Sequence, residues 1–146
     1  MALRQTFTLG EAARLGRFRS GTMVDYLARS GIVRPSVRPK PGRGRRRLYS
    51  FADAVLLRAL NRLLERGIPV ARLGQVQAAF HKLMQGVEPG RLPARYLMTD
   101  GEKAYFRDDP AALVELSGRG GLAFALVLDL QPIMAEVTGE AEKLAA

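Results

Sequence analysis

The chain has no cysteine, no tryptophan, a single histidine and no long apolar run. Without cysteine there is no disulfide framework, no thiolate metal site and no sulfur nucleophile. His81 alone cannot build a zinc site, which needs three or four ligands. The longest uninterrupted apolar stretch, Leu122 to Leu128, is seven residues, whereas a membrane-spanning helix needs about 20. The opening residues, MALRQTFTLGEAARLG, lack the continuous apolar centre of a secretory leader. These absences predict a soluble, cytoplasmic chain with no membrane partner, no metal and no cofactor.

Acidic residues are also scarce, but only in one half. Residues 1–72 carry 16 Lys and Arg against four Asp and Glu, while residues 73–146 carry seven against ten. A basic front and a mildly acidic back point to a front that meets a polyanion. At 146 residues and 47% hydrophobic, the chain can bury a real core as one domain or two small ones.

Helix signals come in quick succession. Thr8-Leu9-Gly10-Glu11 reads as a reciprocal cap opening a helix from Leu9 to about Leu15, with Gly16 ending it. Ser20 caps a second helix through about Ser30, with Met23, Val24, Leu27 and Ala28 on its inner face and Gly31 beyond its end. A longer helix begins at Ser50-Phe51-Ala52-Asp53 and buries Ala54, Val55, Leu57, Leu60, Leu63 and Leu64. After Gly67, Pro69 opens a further helix with Val70, Leu73, Val76, Ala79, Phe80 and Leu83 as its stripe. The breaker-rich GVEPGRLP over 86–93 is the expected boundary between domains. Beyond it, Asp100-Gly101 between Tyr- and Leu-rich runs signals a hairpin. Asp109-Pro110 can start a short helix over Ala111 to Leu116. LAFALVLDL reads as a strand buried on both faces. Pro132 opens a last helix with Ile133, Val137, Ala141 and Leu144 inward.

Two short helices joined by a tight turn have helix-turn-helix proportions, in which the start of the second helix enters the major groove of DNA. Its polar face presents Thr22, Asp25 and Arg29, with Ser20 as cap and Arg17 and Arg19 arriving from the turn. Arg can read guanine with two hydrogen bonds and Thr can touch a thymine methyl. Asp25 either faces a cytosine amino group or holds Arg29 at i+4. Tyr26 is either core or a phosphate donor. In the loop from Arg34 to Tyr49 the cations Arg38, Lys40, Arg43, Arg45, Arg46 and Arg47 crowd into ten residues. Such a run repels itself in water, whereas against a duplex it pairs with phosphates and releases counterions.

The order TLGEAARLG, YLARSGIVRP, GRGRRRLYSFADAVLLRALNRLLERGIPVARL over residues 8–76 resembles the MerR family of winged helix-turn-helix regulators. The resemblance implies DNA contact through Tyr26 and the helix face after it, and through wing residues Arg47 and Tyr49. It also implies a homodimer on a two-fold operator. The turn GRFRSGT is about two residues longer than the family's usual form, and no helix continues past Gly86. The tail resembles the C-terminal modules of MerR-like antitoxins that partner PIN-type ribonucleases.

The resulting expectation is a mainly α fold with a small β component: a winged helix-turn-helix over 1–87, then a small α/β module with a β-hairpin over 88–146 that dimerises the chain or binds a partner. The expected function is a dimeric repressor of double-stranded DNA, nucleoid-associated in the cytoplasm. The alternatives are an antitoxin neutralising a toxin protein, and a regulator with a small-molecule effector in the tail. Enzyme chemistry is not expected. Asp108, Asp109 and Glu115 read as helix caps, and Ser117-Gly-Arg-Gly-Gly lacks the Lys-Ser/Thr of a phosphate loop.

Overall fold

The computed structural model describes residues 6–35, 37, 48–84, 94–99, 104–108 and 126–145. Its elements in order are β1 (Thr6–Phe7), α1 (Leu9–Leu15), α2 (Gly21–Arg29), β2 (Tyr49–Ser50), α3 (Phe51–Glu65) and α4 (Leu73–Met84, entered through a 3₁₀ turn at Val70–Arg72). Then come β3 (Tyr96–Thr99), β4 (Ala104–Arg107), β5 (Leu126–Asp129) and α5 (Leu130–Ala145). Helices dominate, and the strands form two small antiparallel sheets.

The helix starts follow from local hydrogen bonding. Thr8 accepts from the Glu11 amide while the Glu11 carboxylate accepts from the Thr8 amide, and Ser50 and Asp53 repeat this at the start of α3. Gly16 does end α1, but in right-handed geometry (φ −79°), and the left-handed residue is Arg17 at φ +60°. Glycine is needed at 16 for space. A Cβ there would sit 2.9 Å from ring carbons of Phe18 and 3.2 Å from the Leu57 Cβ. At Gly31 (φ +78°) and Gly67 (φ +95°), by contrast, the left-handed backbone itself calls for glycine.

Helix α3 is the centre of the fold. It packs against α1, β2, α4 and α5, so its buried set is wider than one stripe and also takes in Leu56, Arg58 and Ala59. Helix α1 packs on α2 and on α3, and β1 pairs with β2 (Thr6 opposite Ser50, Phe7 opposite Tyr49). The second sheet runs β4-β3-β5. It meets α4 through an edge-to-face contact of Phe80 and Phe106, with ring centroids 5.7 Å apart. The expected boundary at 86–93 and the helix expected at 111–116 lie outside the described residues. On either side of that boundary the apolar core is one cluster, joining Leu57 and Leu60 with Leu97, Phe106, Ile133 and Val137. Strand β5 departs from the expected two-sided burial, since Val127 is 39% exposed. Among the described strands β5 lies at the edge of its sheet, with Leu128 turned to the core and Val127 to the other face. Among the described residues no helix is long and apolar enough to cross a membrane.

Ion pairs fasten α5 to the helices of the N-terminal half. Arg58 of α3 is 2% exposed and pairs with Glu136 of α5. Arg62 lies 3.9 Å from the other Glu136 oxygen, and Arg14 of α1 lies 3.9 Å from Glu140. A buried guanidinium is tolerated only with a hydrogen-bonded counter-charge. The hydrogen bond from Arg58 holds the Glu136 carboxyl below the usual glutamate range, with the charges of Arg58, Arg62 and Arg17 adding to it and desolvation opposing it.

Two predictions come from this pair. Removing one partner of a buried pair costs about 3–5 kcal/mol; because the Glu136 side chain is 36% exposed, Glu136→Ala is expected to cost about 2 kcal/mol in urea unfolding at unchanged m value. Arg58→Met, which fills the same space without charge, should cost less than Glu136→Ala. The pH dependence has a definite sign. A carboxyl whose folded pKa is lowered adds stability that is complete above its unfolded value, about 4.3, and is lost as pH falls through the folded value. Stability measured from pH 7 down to pH 3 should therefore decline over that acid range, and more shallowly in Glu136→Gln.

Candidate nucleic-acid interface

Helix α2 offers one face to the core and one to solvent. Val24 and Leu27 are fully buried, with Met23 packed behind them. Thr22 and Arg29 are exposed, and Tyr26 is 46% exposed. Tyr26 is thus a surface side chain and not part of the core. The Ser20 hydroxyl accepts from the Thr22 amide at 3.3 Å and donates to Thr22 Oγ1 at 3.1 Å, so cap and first-turn threonine form one unit. Asp25 meets Arg29 Nε at 2.9 Å. That pair supports the second reading of Asp25, a carboxylate that lays the Arg29 guanidinium along the helix surface.

The turn before α2 is exposed at Arg17, Arg19 and Ser20. Together with Tyr26 and Arg29 these residues rim an open cleft of about 980 Å³ whose floor includes Phe18, Met23, Leu64 and Val70. The cleft therefore lies between the start of α2 and the junction of α3 with α4, with cations on its edge. Arg17 holds a left-handed conformation that costs an ordinary side chain about 1–2 kcal/mol. The turn persists because neighbours hold it: the Phe18 amide donates to Ala13 O at 2.9 Å, and the Arg17 amide to Arg14 O at 3.1 Å.

Arg38, Lys40, Arg43, Arg45, Arg46 and Arg47 lie outside the described residues. The two ends of their segment are fixed. Val37 and Leu48 form an antiparallel bridge, with the Val37 amide donating to Leu48 O at 3.1 Å. The chain therefore leaves and returns at one place, beside β2 and the start of α3. Tyr49 must be corrected. It is fully buried against the core, and a side chain out of solvent's reach cannot touch a phosphate. Its ring anchors the returning chain instead.

One residue has a role that no sequence signal assigned, and one extends the basic loop. Asn61 of α3 donates its side-chain amide to Gly16 O and to Arg17 O, both at 2.9 Å. The available signal was an asparagine inside an otherwise apolar and charged helix, a residue that favours caps and turns. Arg34, exposed just past Gly31, extends the cationic surface toward the basic segment. Among the described residues no group of three or more His, Cys, Asp or Glu is placed to hold a metal ion.

Residues 7–79 match the MerR HTH family regulatory protein profile. The chain is similar to uncharacterised HTH-type transcriptional regulators of Mycobacterium bovis and of two strains of Mycobacterium tuberculosis. Each is 34% identical over 116 residues, covering 80% of this chain and 49% of the relative. The chain thus spans about half the length of the curated relatives it matches. The capped helix pair, the bridged return of the basic segment and the capped α3 all fall within the matched span, and the chain belongs to the MerR HTH family of regulatory proteins.

Proposed function

We propose that this protein is a sequence-specific regulator of transcription that binds double-stranded DNA as a homodimer and represses the promoter it occupies, with no enzymatic step of its own. The observation that carries the reading is the exposed polar face of α2. It begins at a side-chain cap, is flanked by Arg17 and Arg19, and lies on the same half of the chain as a bridged segment with six cations in ten residues.

The division of labour follows from chemistry. A side chain at the start of a recognition helix reaches base edges, so Thr22 and Arg29 read sequence. Arg38, Lys40, Arg43, Arg45, Arg46 and Arg47 neutralise backbone phosphates, which gives affinity without sequence information. Asp25 keeps the Arg29 guanidinium in one direction, so less freedom is lost when it meets a base. Residues 88–146 supply the dimer contact, and two copies present two recognition helices about one helical turn of DNA apart. In a cell such a protein resides on the nucleoid.

Salt tests the reading. A dimer that contacts roughly 6–10 phosphates loses about 10³–10⁵-fold in affinity between 50 and 200 mM salt. Titration of a fluorescent duplex should show that slope, and a flat response removes the phosphate role of the basic segment. Mutation separates the two surfaces. Changing Arg45, Arg46 and Arg47 together to Ala should weaken all duplexes alike and lower the salt slope by about one per lost contact. Thr22→Ala or Arg29→Ala should leave unrelated DNA bound as before, while costing about 1–3 kcal/mol on a duplex selected from a random pool. Identical behaviour of the two sets would contradict the assignment.

A further inference from the structure

Helix α1 ends at Gly16, so the Gly16 carbonyl lies past the point where the helix itself can supply a donor. The next carbonyl, that of Arg17, belongs to a residue at φ +60°. Both accept from one nitrogen, the Asn61 side-chain amide, at 2.9 Å each. Few side chains can do this. An amide nitrogen has two donor hydrogens a fixed angle apart, whereas a carboxylate has none and an alkyl group offers nothing. Asn61 stands on α3, the most extensively buried of the described helices, one turn from the side chain of Leu57 that lies against the same turn at Gly16. The donor is therefore mounted on a rigid support, and what it grips is the segment carrying Arg17, Arg19 and the α2 cap Ser20.

We infer that Asn61 is the positioning residue of the DNA-reading turn. By capping the end of α1 from another helix, it holds Arg17 in the left-handed conformation and so sets the direction from which Arg17, Arg19 and the start of α2 approach a duplex. This rests on the DNA-binding reading above. Asn61 itself need not touch DNA.

The test pairs Asn61 with the backbone preference at position 17. Arg17→Ala and Arg17→Gly both remove the cation, but only glycine adopts positive φ without strain. Duplexes selected by the wild-type protein from a random-sequence pool serve as probe, with amide hydrogen exchange on the free protein as a second readout. In the otherwise native chain, Asn61→Ala should weaken the selected duplex about ten-fold, the worth of one to two hydrogen bonds. It should also speed exchange at the Arg17 and Phe18 amides by about ten-fold, with the core amides of α3 unchanged. Asn61→Leu, a better helix former of similar volume, should weaken binding to the same extent while leaving the fold as stable as before or more so. On an Arg17→Ala background Asn61→Ala should again cost about ten-fold, and on Arg17→Gly less than about two-fold.

Unchanged exchange at Arg17 and Phe18 in Asn61→Ala overturns the inference. So does wild-type affinity in Asn61→Leu, or an equal loss on the glycine and alanine backgrounds. A wild-type chain that retains no duplex from the pool overturns the DNA-binding reading itself, and the positioning role with it, which sets that failure apart from the others.

Discussion

Helix α3 is enclosed by α1, β2, α4 and α5, and a polar group that it turns inward is costly without a partner in the fold. Its three polar commitments organise the molecule. The Ser50–Asp53 cap satisfies the first-turn amides where the chain returns from the basic segment. Arg58, almost without solvent contact, requires the carboxylate of Glu136 and so draws α5 against α3. Asn61 reaches in another direction and closes the turn between α1 and α2. Apolar burial provides the bulk of the stabilisation, but it is directionless. The polar groups decide which side of α3 each neighbour occupies.

The two parts of the proposed DNA surface suit different contacts. The face of α2 is built on side-chain caps, an i,i+4 ion pair and a packed turn, so its groups are held before any ligand arrives. The ends of the basic segment are held by the Val37–Leu48 bridge and by the burial of Tyr49. Preorganised groups suit discrimination among bases, because misplaced donors lose geometry-dependent hydrogen bonds. Cations attract phosphates over longer range and with less demand on angle.

Local signals proved readable in the sequence. The reciprocal caps at Thr8 and Ser50, the α2 face with Val24 and Leu27 inward, and the α5 stripe of Ile133, Val137 and Ala141 all stand where periodicity and capping chemistry put them. The hairpin strands flank Asp100-Gly101 as expected and pair Tyr96 with Arg107. What escaped was set by partners far along the chain or by steric fit. Strand β1 is two residues long and exists because β2 lies beside it. Arg58 and Glu136 are 78 residues apart, and Asn61 and Gly16 are 45 apart, distances at which no periodicity operates. The family resemblance implies a DNA contact for Tyr49, but its side chain is buried in the core. Gly16 ends α1 as expected, but without left-handed geometry. Crowding by Phe18 and Leu57 claims the glycine, and the geometry passes to Arg17.

The Arg58–Glu136 pair also bears on how this fold can be reused. Helix-turn-helix segments are commonly treated as portable heads to be fused to a chosen receiver. Here a graft of residues 6–84 alone would carry an interior cation stripped of its neutralising acid, beside the surface that α5 covers. A chimaera built on this chain therefore has to bring α5 along, or trade the guanidinium for a neutral side chain of equal bulk.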